Sequence, residues 1–309
     1  VAGTLNGIFL MPDDPGFLEK EVCPEALLMD LEAQNVEQIA DAYRKKQIGY
    51  STTPIDPDGH KLRLFPGGVT IWSGFPGTGK TSLLRQLACH LLARPQGVFF
   101  ASLEEDPASL LCRMCESAVG HEEPSVADLE WFVHEFADRL KLWCAVGLAD
   151  YQQILALVRV LGRQGVRHAF IDSMMCLNVN SKDIEEQRVF ANAVTATARL
   201  SGVHIHLVAH PRKLVSAEQE LDINDVAGSA DLGRLADNVV FVRRAANENN
   251  VAGNGKPIKV SIRKQRHGTG ATGDIGGWFH RHYRQFSTEQ FMQRPIQYLP
   301  AQAYGVDFR

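Results

Sequence analysis

The chain has 309 residues, 45% of them hydrophobic, and a net charge of −4, enough apolar material for a large core and too much for a disordered or fibrous chain. No apolar run approaches the roughly 20 residues that span a bilayer, and no basic-then-apolar leader opens the sequence, so a soluble, intracellular, non-secreted protein without a membrane partner is expected. Six scattered cysteines exclude a secreted disulfide framework.

The sequence opens on Val1, which suggests processing or a fragment of a longer chain. Residues 1–48 form an acidic N-terminal arm and linker. Residues 1–60 hold eleven acidic and four basic side chains, a balance of −7 that leaves +3 for the remainder. Residues 1–25 read as irregular. From about Leu27 to Gln47 the spacing predicts an amphipathic helix, with Val36, Ile39, Ala40 and Tyr43 on one stripe. Such a helix cannot bury its stripe alone and must dock on the main domain or on a neighbouring copy.

Residues 49–309 then alternate between strand and helix patterns. Strands are expected near 69–73, 97–103, 140–145, 167–172, 203–209, 238–243 and 258–264. Helices are expected near 80–93, 107–119, 126–138, 151–164 and 184–201. This alternation predicts an α/β fold, a mostly parallel sheet covered on both faces, with ligands at the carboxyl ends of the strands and each motif at one of those ends.

The strand Val69–Trp72 runs into Gly74-Phe75-Pro76-Gly77-Thr78-Gly79-Lys80-Thr81, followed by the apolar helix beginning Ser82-Leu83-Leu84. Glycines in that pattern let backbone N–H groups turn inward around phosphates, and the helix N-terminus adds its dipole. Gly74, Gly77, Thr78, Gly79, Lys80, Thr81 and Ser82 are therefore nucleotide-binding candidates, with Lys80 reaching the terminal phosphates and Thr81 holding Mg²⁺.

Strand 97–103 ends in Glu104 and Glu105. Phosphoanhydride hydrolysis needs a group that polarises the attacking water; Glu104 is favoured, with Glu105 the fallback, and Asp106 suits an N-cap for the next helix. Cys112 and Cys115 form a lone C-x-x-C within that helical pattern and read as a half-buried helix face rather than a zinc or redox site. The apolar strand Ala169-Phe170-Ile171 ends in Asp172, expected opposite Thr81 on the metal side. In the next strand, His204 and His206 share one face and read as packing residues. His210 falls at the carboxyl end, placed to hydrogen-bond a γ-phosphate and report its loss to the loop carrying Arg212 and Lys213.

Taken in order, Gly-Phe-Pro-Gly-Thr-Gly-Lys-Thr, Ser-Leu-Glu-Glu, Phe-Ile-Asp-Ser, Ala-His-Pro-Arg-Lys, the stretch Gly228–Asn238 and Arg263-Lys264-Gln265-Arg266 resemble the ring-shaped replicative DNA helicases with a RecA-type core. The similarity spans roughly residues 49–286 and is greatest to the helicase half of phage primase-helicases and mitochondrial Twinkle, and more distant to DnaB. The resemblance implies a RecA-like P-loop core, ATP or a dNTP with Mg²⁺, and a homo-oligomeric ring, expected as a hexamer. It further implies 5′-to-3′ travel on single-stranded DNA, a forked duplex as substrate, and a primase and a polymerase as partners, in a bacterial or infected cytoplasm or a mitochondrial matrix. It casts Glu104 as catalytic base, Lys80 and His210 on the phosphates, Asp172 as metal-side acid, and Lys264 and Arg266 as cations supplied to a neighbour's nucleotide. Alternation would aim both at one phosphate group. Residues 223–230, with Gly228 and Ser229, resemble the loop that grips DNA, and Arg244 with an aromatic such as Tyr283 would sandwich the base. No primase-like region precedes the motor, and the resemblance leaves residues 1–25 and 287–309 unexplained. Two alternatives stay open: a RecA-core ATPase of recombination or nucleotide-gated assembly, and a nucleotide-gated DNA-binding module.

Overall fold

The computed structural model describes Glu37 and residues 49–180, 182–211, 220–226, 230–245, 255–267 and 272–299. The described residues from Gly49 onward fall in one compact unit. The arm, the linker-helix stripe other than Glu37, Arg212, Lys213, Gly228, Ser229 and residues 300–309 lie outside the described residues.

One nine-stranded sheet organises this unit, in the order β3-β2-β4-β5-β1-β6-β7-β8-β9. Its strands are β1 (Val69–Ser73), β2 (Gly97–Ser102), β3 (Leu140–Leu142), β4 (Val166–Asp172), β5 (His204–Val208), β6 (Asn238–Arg244), β7 (Gly255–Gln265), β8 (Gly273–His280) and β9 (Gln285–Ser287). The first six are mutually parallel, and β7, β8 and β9 continue the sheet antiparallel. Helices α1 (Lys80–Leu92), α2 (Pro107–Val119), α3 (Val126–Phe136), α4 (Tyr151–Arg163), α5 (Ile184–Ser201) and α6 (Ala230–Leu235) fill most of the intervals.

Strands β1, β2 and β5 are buried along their whole length. Their side chains therefore alternate between two apolar layers. Trp72, Phe100, Phe170 and Val240 face α1, α2 and α3, while Ile71, Phe99, Ile171 and Phe241 face α4, α5 and α6. The helix ends follow local chemistry. Asp106 accepts from Ser109 N–H before Pro107, Ser125 and Asp128 close a reciprocal capping box, and Asp183 caps α5.

The buried histidines are packing residues, and each is satisfied. Trp72 Nε1–H donates to His206 Nδ1 at 3.2 Å, so His206 donates through Nε2 to His168 Nδ1 at 3.1 Å. His168 in turn donates to Ser51 Oγ at 3.0 Å, and Ser51 donates to Gln96. His204 donates to the Phe65 carbonyl at 2.7 Å and accepts from Thr70 Oγ1 at 2.8 Å. Burial pushes all three rings below the ordinary histidine range, His204 to about 4.

Strands β8 and β9 and helix α6 escape the sequence pattern. Gly276 and Gly277 interrupt the apolar alternation of β8, and α6 has only six residues. Residues beyond 287 acquire a role as well. Tyr298 and Leu299 are buried against the α1 layer, and Gln86 on α1 holds both the Tyr298 hydroxyl and the Phe286 backbone.

Candidate nucleotide site

The loop between β1 and α1 turns through Gly74, Gly77 and Gly79 at φ of 147°, 73° and 92°. A Cβ at Gly74 would collide with the Val242 carbonyl oxygen, and one at Gly79 with the Phe286 ring. Both positions thus need glycine for space as well as for backbone conformation. Lys80 opens α1 and curls back, donating to the carbonyls of Gly74 at 2.7 Å and Phe75 at 2.9 Å. Thr78 Oγ1 donates to the same Phe75 carbonyl. Burial lowers the Lys80 pKa, and the charges of Asp172 and then Glu104 oppose that shift. The ammonium thus sits against two carboxylates at the rim of a loop built for anions.

Strand pairing brings those carboxylates there. β2 pairs with β4 so that Ser102 stands opposite Asp172. Asp172 is buried and its pKa is raised by that burial, although a hydrogen bond from Thr81 works the other way. Thr81 hydroxyl and Asp172 carboxylate are hard oxygen donors in direct contact, which suits a small divalent cation such as Mg²⁺. Glu104 Oε1 accepts from Ser173 Oγ at 2.6 Å, just past Asp172.

Glu105 takes a different path. Its carboxylate pairs with Arg85 and Arg113, each at 2.7 Å, which commits it to tying α1 to α2. Of the two glutamates left open by the sequence, Glu104 is the one set among Lys80, Asp172 and Ser173. His210 follows β5, beside β1, and is half-buried; burial and then the Lys80 charge lower its pKa, with Glu104 opposing. It is neutral at pH 7 and able to donate one hydrogen bond and accept another.

Lys264 and Arg266 depart from the expectation that every motif lies at the carboxyl ends of the parallel strands. Because β7 runs antiparallel, its end lands at their amino ends, where Gln265 pairs with Asn238 and Asn238 with Thr70. Val69 and Gly74 are separated by the length of β1, roughly 17 Å, so these cations are remote from Lys80 of their own chain. A register shift between Val239 and Val240 interrupts strict alternation. The pair still converges: Lys264 Nζ and Arg266 Nη2 both donate to the Arg234 carbonyl, at 2.5 and 2.9 Å. Burial, and then the Arg266 charge, lower the Lys264 pKa to about 8.

A cavity of about 230 Å³ adjoins the loop. Gly77, Thr78, Gly79 and Ser82 form one wall, and Arg244, Pro257, Phe279, Arg281 and Phe286 line the rest. Arg244 donates to the Gly77 carbonyl at 3.0 Å. Tyr283 does not join it there: its hydroxyl donates to the Gln293 carbonyl and its ring lies against His282. Phe279 and Phe286 are the aromatic rings of this cavity. Sequence reasoning missed them because they sit on β8 and β9.

Two solved structures are similar to this chain. One is a helicase ATPase domain, at 18% identity, a TM-score of 0.66, and coverage of 82% of this chain and 98% of that one. The other is described as a DnaB-like replicative helicase and its interactions with primase, at 18% identity and a TM-score of 0.63, covering 85% and 69%. The fold is thus the RecA-like α/β core of such helicase ATPase domains. Residues 57–215, just over half of the sequence, match the family model described as AAA domain, and the chain belongs to that family of phosphate-loop proteins.

Proposed function

We propose that this chain is the motor of a ring-forming, NTP-driven replicative DNA helicase that travels 5′ to 3′ on single-stranded DNA and unwinds a forked duplex. The observation that carries this reading is the division of charge between the two ends of one sheet. Lys80, Thr81, Glu104, Asp172 and His210 gather at one end, and Lys264 and Arg266 present their cations at the other, roughly 17 Å away. Both sets can meet one triphosphate only when copies associate head to tail, as in a cyclic ring.

In such a ring the loop N–H groups and Lys80 hold the phosphates, and Glu104, oriented by Ser173, accepts the proton of the attacking water. Mg²⁺, held through Thr81 and Asp172, would neutralise developing phosphate charge. Lys264 and Arg266 of the next protomer stabilise the transition state. Pro211 bridges to Val226, so the neighbours in sequence of Arg212 and Lys213 are joined to those of Gly228 and Ser229, one residue beyond His210. That junction supports a route from the γ-phosphate to the DNA-gripping loops. The descriptions of the similar structures, a DnaB-like replicative helicase among them, favour this reading over a recombination ATPase or an assembly switch, and they support a primase as a partner class alongside a polymerase. A hexamer using ATP or a dNTP is the expected form.

The test is strand separation on a forked duplex, with mass measured in the presence of nucleotide and single-stranded DNA. A ring mass with NTP-dependent unwinding is expected. Full triphosphatase turnover by a protomer that never assembles would overturn the reading.

A further inference from the structure

The cation pair at the amino end of the sheet rests on one carboxylate that no catalytic motif includes. Asp237 lies between α6 and β6 and is 3% exposed at its side chain. Its Oδ2 accepts from Val69 N–H, the first residue of β1, at 2.9 Å. Arg199 on α5 donates to both carboxylate oxygens, at 2.6 and 2.8 Å. His267 Nε2 stands 3.2 Å and Arg266 Nη1 3.8 Å from Oδ1. The main chain of Asp237 is engaged too: its carbonyl accepts from Arg266 N–H at 2.8 Å, and its N–H donates to the Val69 carbonyl at 2.9 Å.

One residue thereby fixes the segment that follows β7 to the start of the strand that ends in the phosphate loop. The Arg266 guanidinium remains 42% exposed while leaning on this buried anchor and on the Arg234 carbonyl. A group that must meet a neighbour's phosphate within a fraction of an ångström gains from such support, because a loosely held side chain donates poorly even when its charge is correct.

We propose that Asp237 is a positioning residue for hydrolysis in the adjacent protomer, holding Arg266, and through the shared Arg234 carbonyl Lys264, in donating position. This inference rests on the trans-acting reading above. A purely structural role, with the Arg199–Asp237 pair only binding α5 to β1, is the competing account.

Mixing rings separates the two. Asp237→Asn should lower DNA-stimulated hydrolysis by about 10- to 100-fold while nucleotide binding at its own Lys80 is kept. The variant is then mixed with excess Lys80→Ala chains, whose own site is dead but whose Asp237, Lys264 and Arg266 are intact. Hydrolysis per Asp237→Asn protomer should recover, as it should for an Arg266→Ala control. Recovery of the Arg266→Ala chains without recovery of Asp237→Asn would overturn the positioning role. Failure of both to recover would overturn the trans-acting reading, and this inference with it. Should Asp237→Asn not fold, His267→Gln, at a partly exposed partner of the same carboxylate, carries the test. A several-fold loss restored by mixing supports the proposal, and unaltered turnover overturns it.

Discussion

The two ends of the central sheet use charge in different ways. At the carboxyl end, Lys80 and Asp172 are buried, each is pushed toward its neutral form by burial, and each is held charged by the other. At the amino end, Lys264 and Arg266 lean on a backbone carbonyl and on the edge of a buried carboxylate that Arg199 already pairs. The first arrangement is balanced within its own chain. The second has positive charge to offer outward, as a group donated to another molecule requires.

Substitution at the carboxyl end should have the largest effect. Glu104→Gln is expected to reduce hydrolysis by roughly 10²- to 10⁴-fold with nucleotide binding retained, measured by steady-state phosphate release and nucleotide titration. Glu105→Gln should leave turnover within a few-fold and instead loosen α1 from α2. Equal losses from both would erase the distinction drawn between the two glutamates.

At the other end, Arg266→Ala should cost on the order of 10³-fold in DNA-stimulated turnover with little change in nucleotide affinity. Normal turnover would leave the amino end with no part in the chemistry.

Acid should weaken the sheet joining the two ends. His204 has a folded pKa of about 4, below its unfolded value of roughly 6.5. The unfolded chain therefore takes up a proton first as pH falls. The stability contributed is whole above about pH 6.5 and is lost progressively toward pH 4, on the order of 3 kcal/mol for this one ring. Denaturant melts between pH 7 and 4 check this, and Thr70→Val, which removes the donor to His204 Nε2, should alter the profile. Stability independent of pH over that interval would contradict the neutral, hydrogen-bonded assignment.

The smallest effect is expected from Lys264. With a pKa of about 8, it is charged below that pH and loses charge above it. Hydrolysis should therefore fall, by up to about tenfold per pH unit, as pH rises past 8. Lys264→Arg, which stays charged, should flatten the decline, and an identical decline in both proteins would assign it elsewhere.

Local chemistry made one half of the site legible. A strand, a glycine loop and a helix start are contiguous in residues 69–92, so Lys80 and Thr81 could be placed from spacing alone, and apolar runs ending in Glu104 and Asp172 located two more groups. Glu104 and Glu105 could not be separated that way, since adjacent residues differ only in which neighbours they meet. Arg85 and Arg113, 20 and 8 residues away from Glu105 in sequence, made that choice. The aromatic cavity wall was equally hidden: Phe279 and Phe286 are ordinary hydrophobic residues until β8 and β9 carry them beside Gly79.

The sequence by itself determined the alternation of strand and helix, the phosphate loop and the acids that follow β2 and β4, because each depends on short-range periodicity and on backbone conformations that only certain residues adopt. Strand direction depends on partners far along the chain, and only the tertiary structure decided it. By running β7 antiparallel, the fold carried Lys264 and Arg266 to the end of the sheet opposite Lys80 and set Asp237 beneath them. No local pattern encodes that separation, and it is what divides the candidate site between one chain and the next.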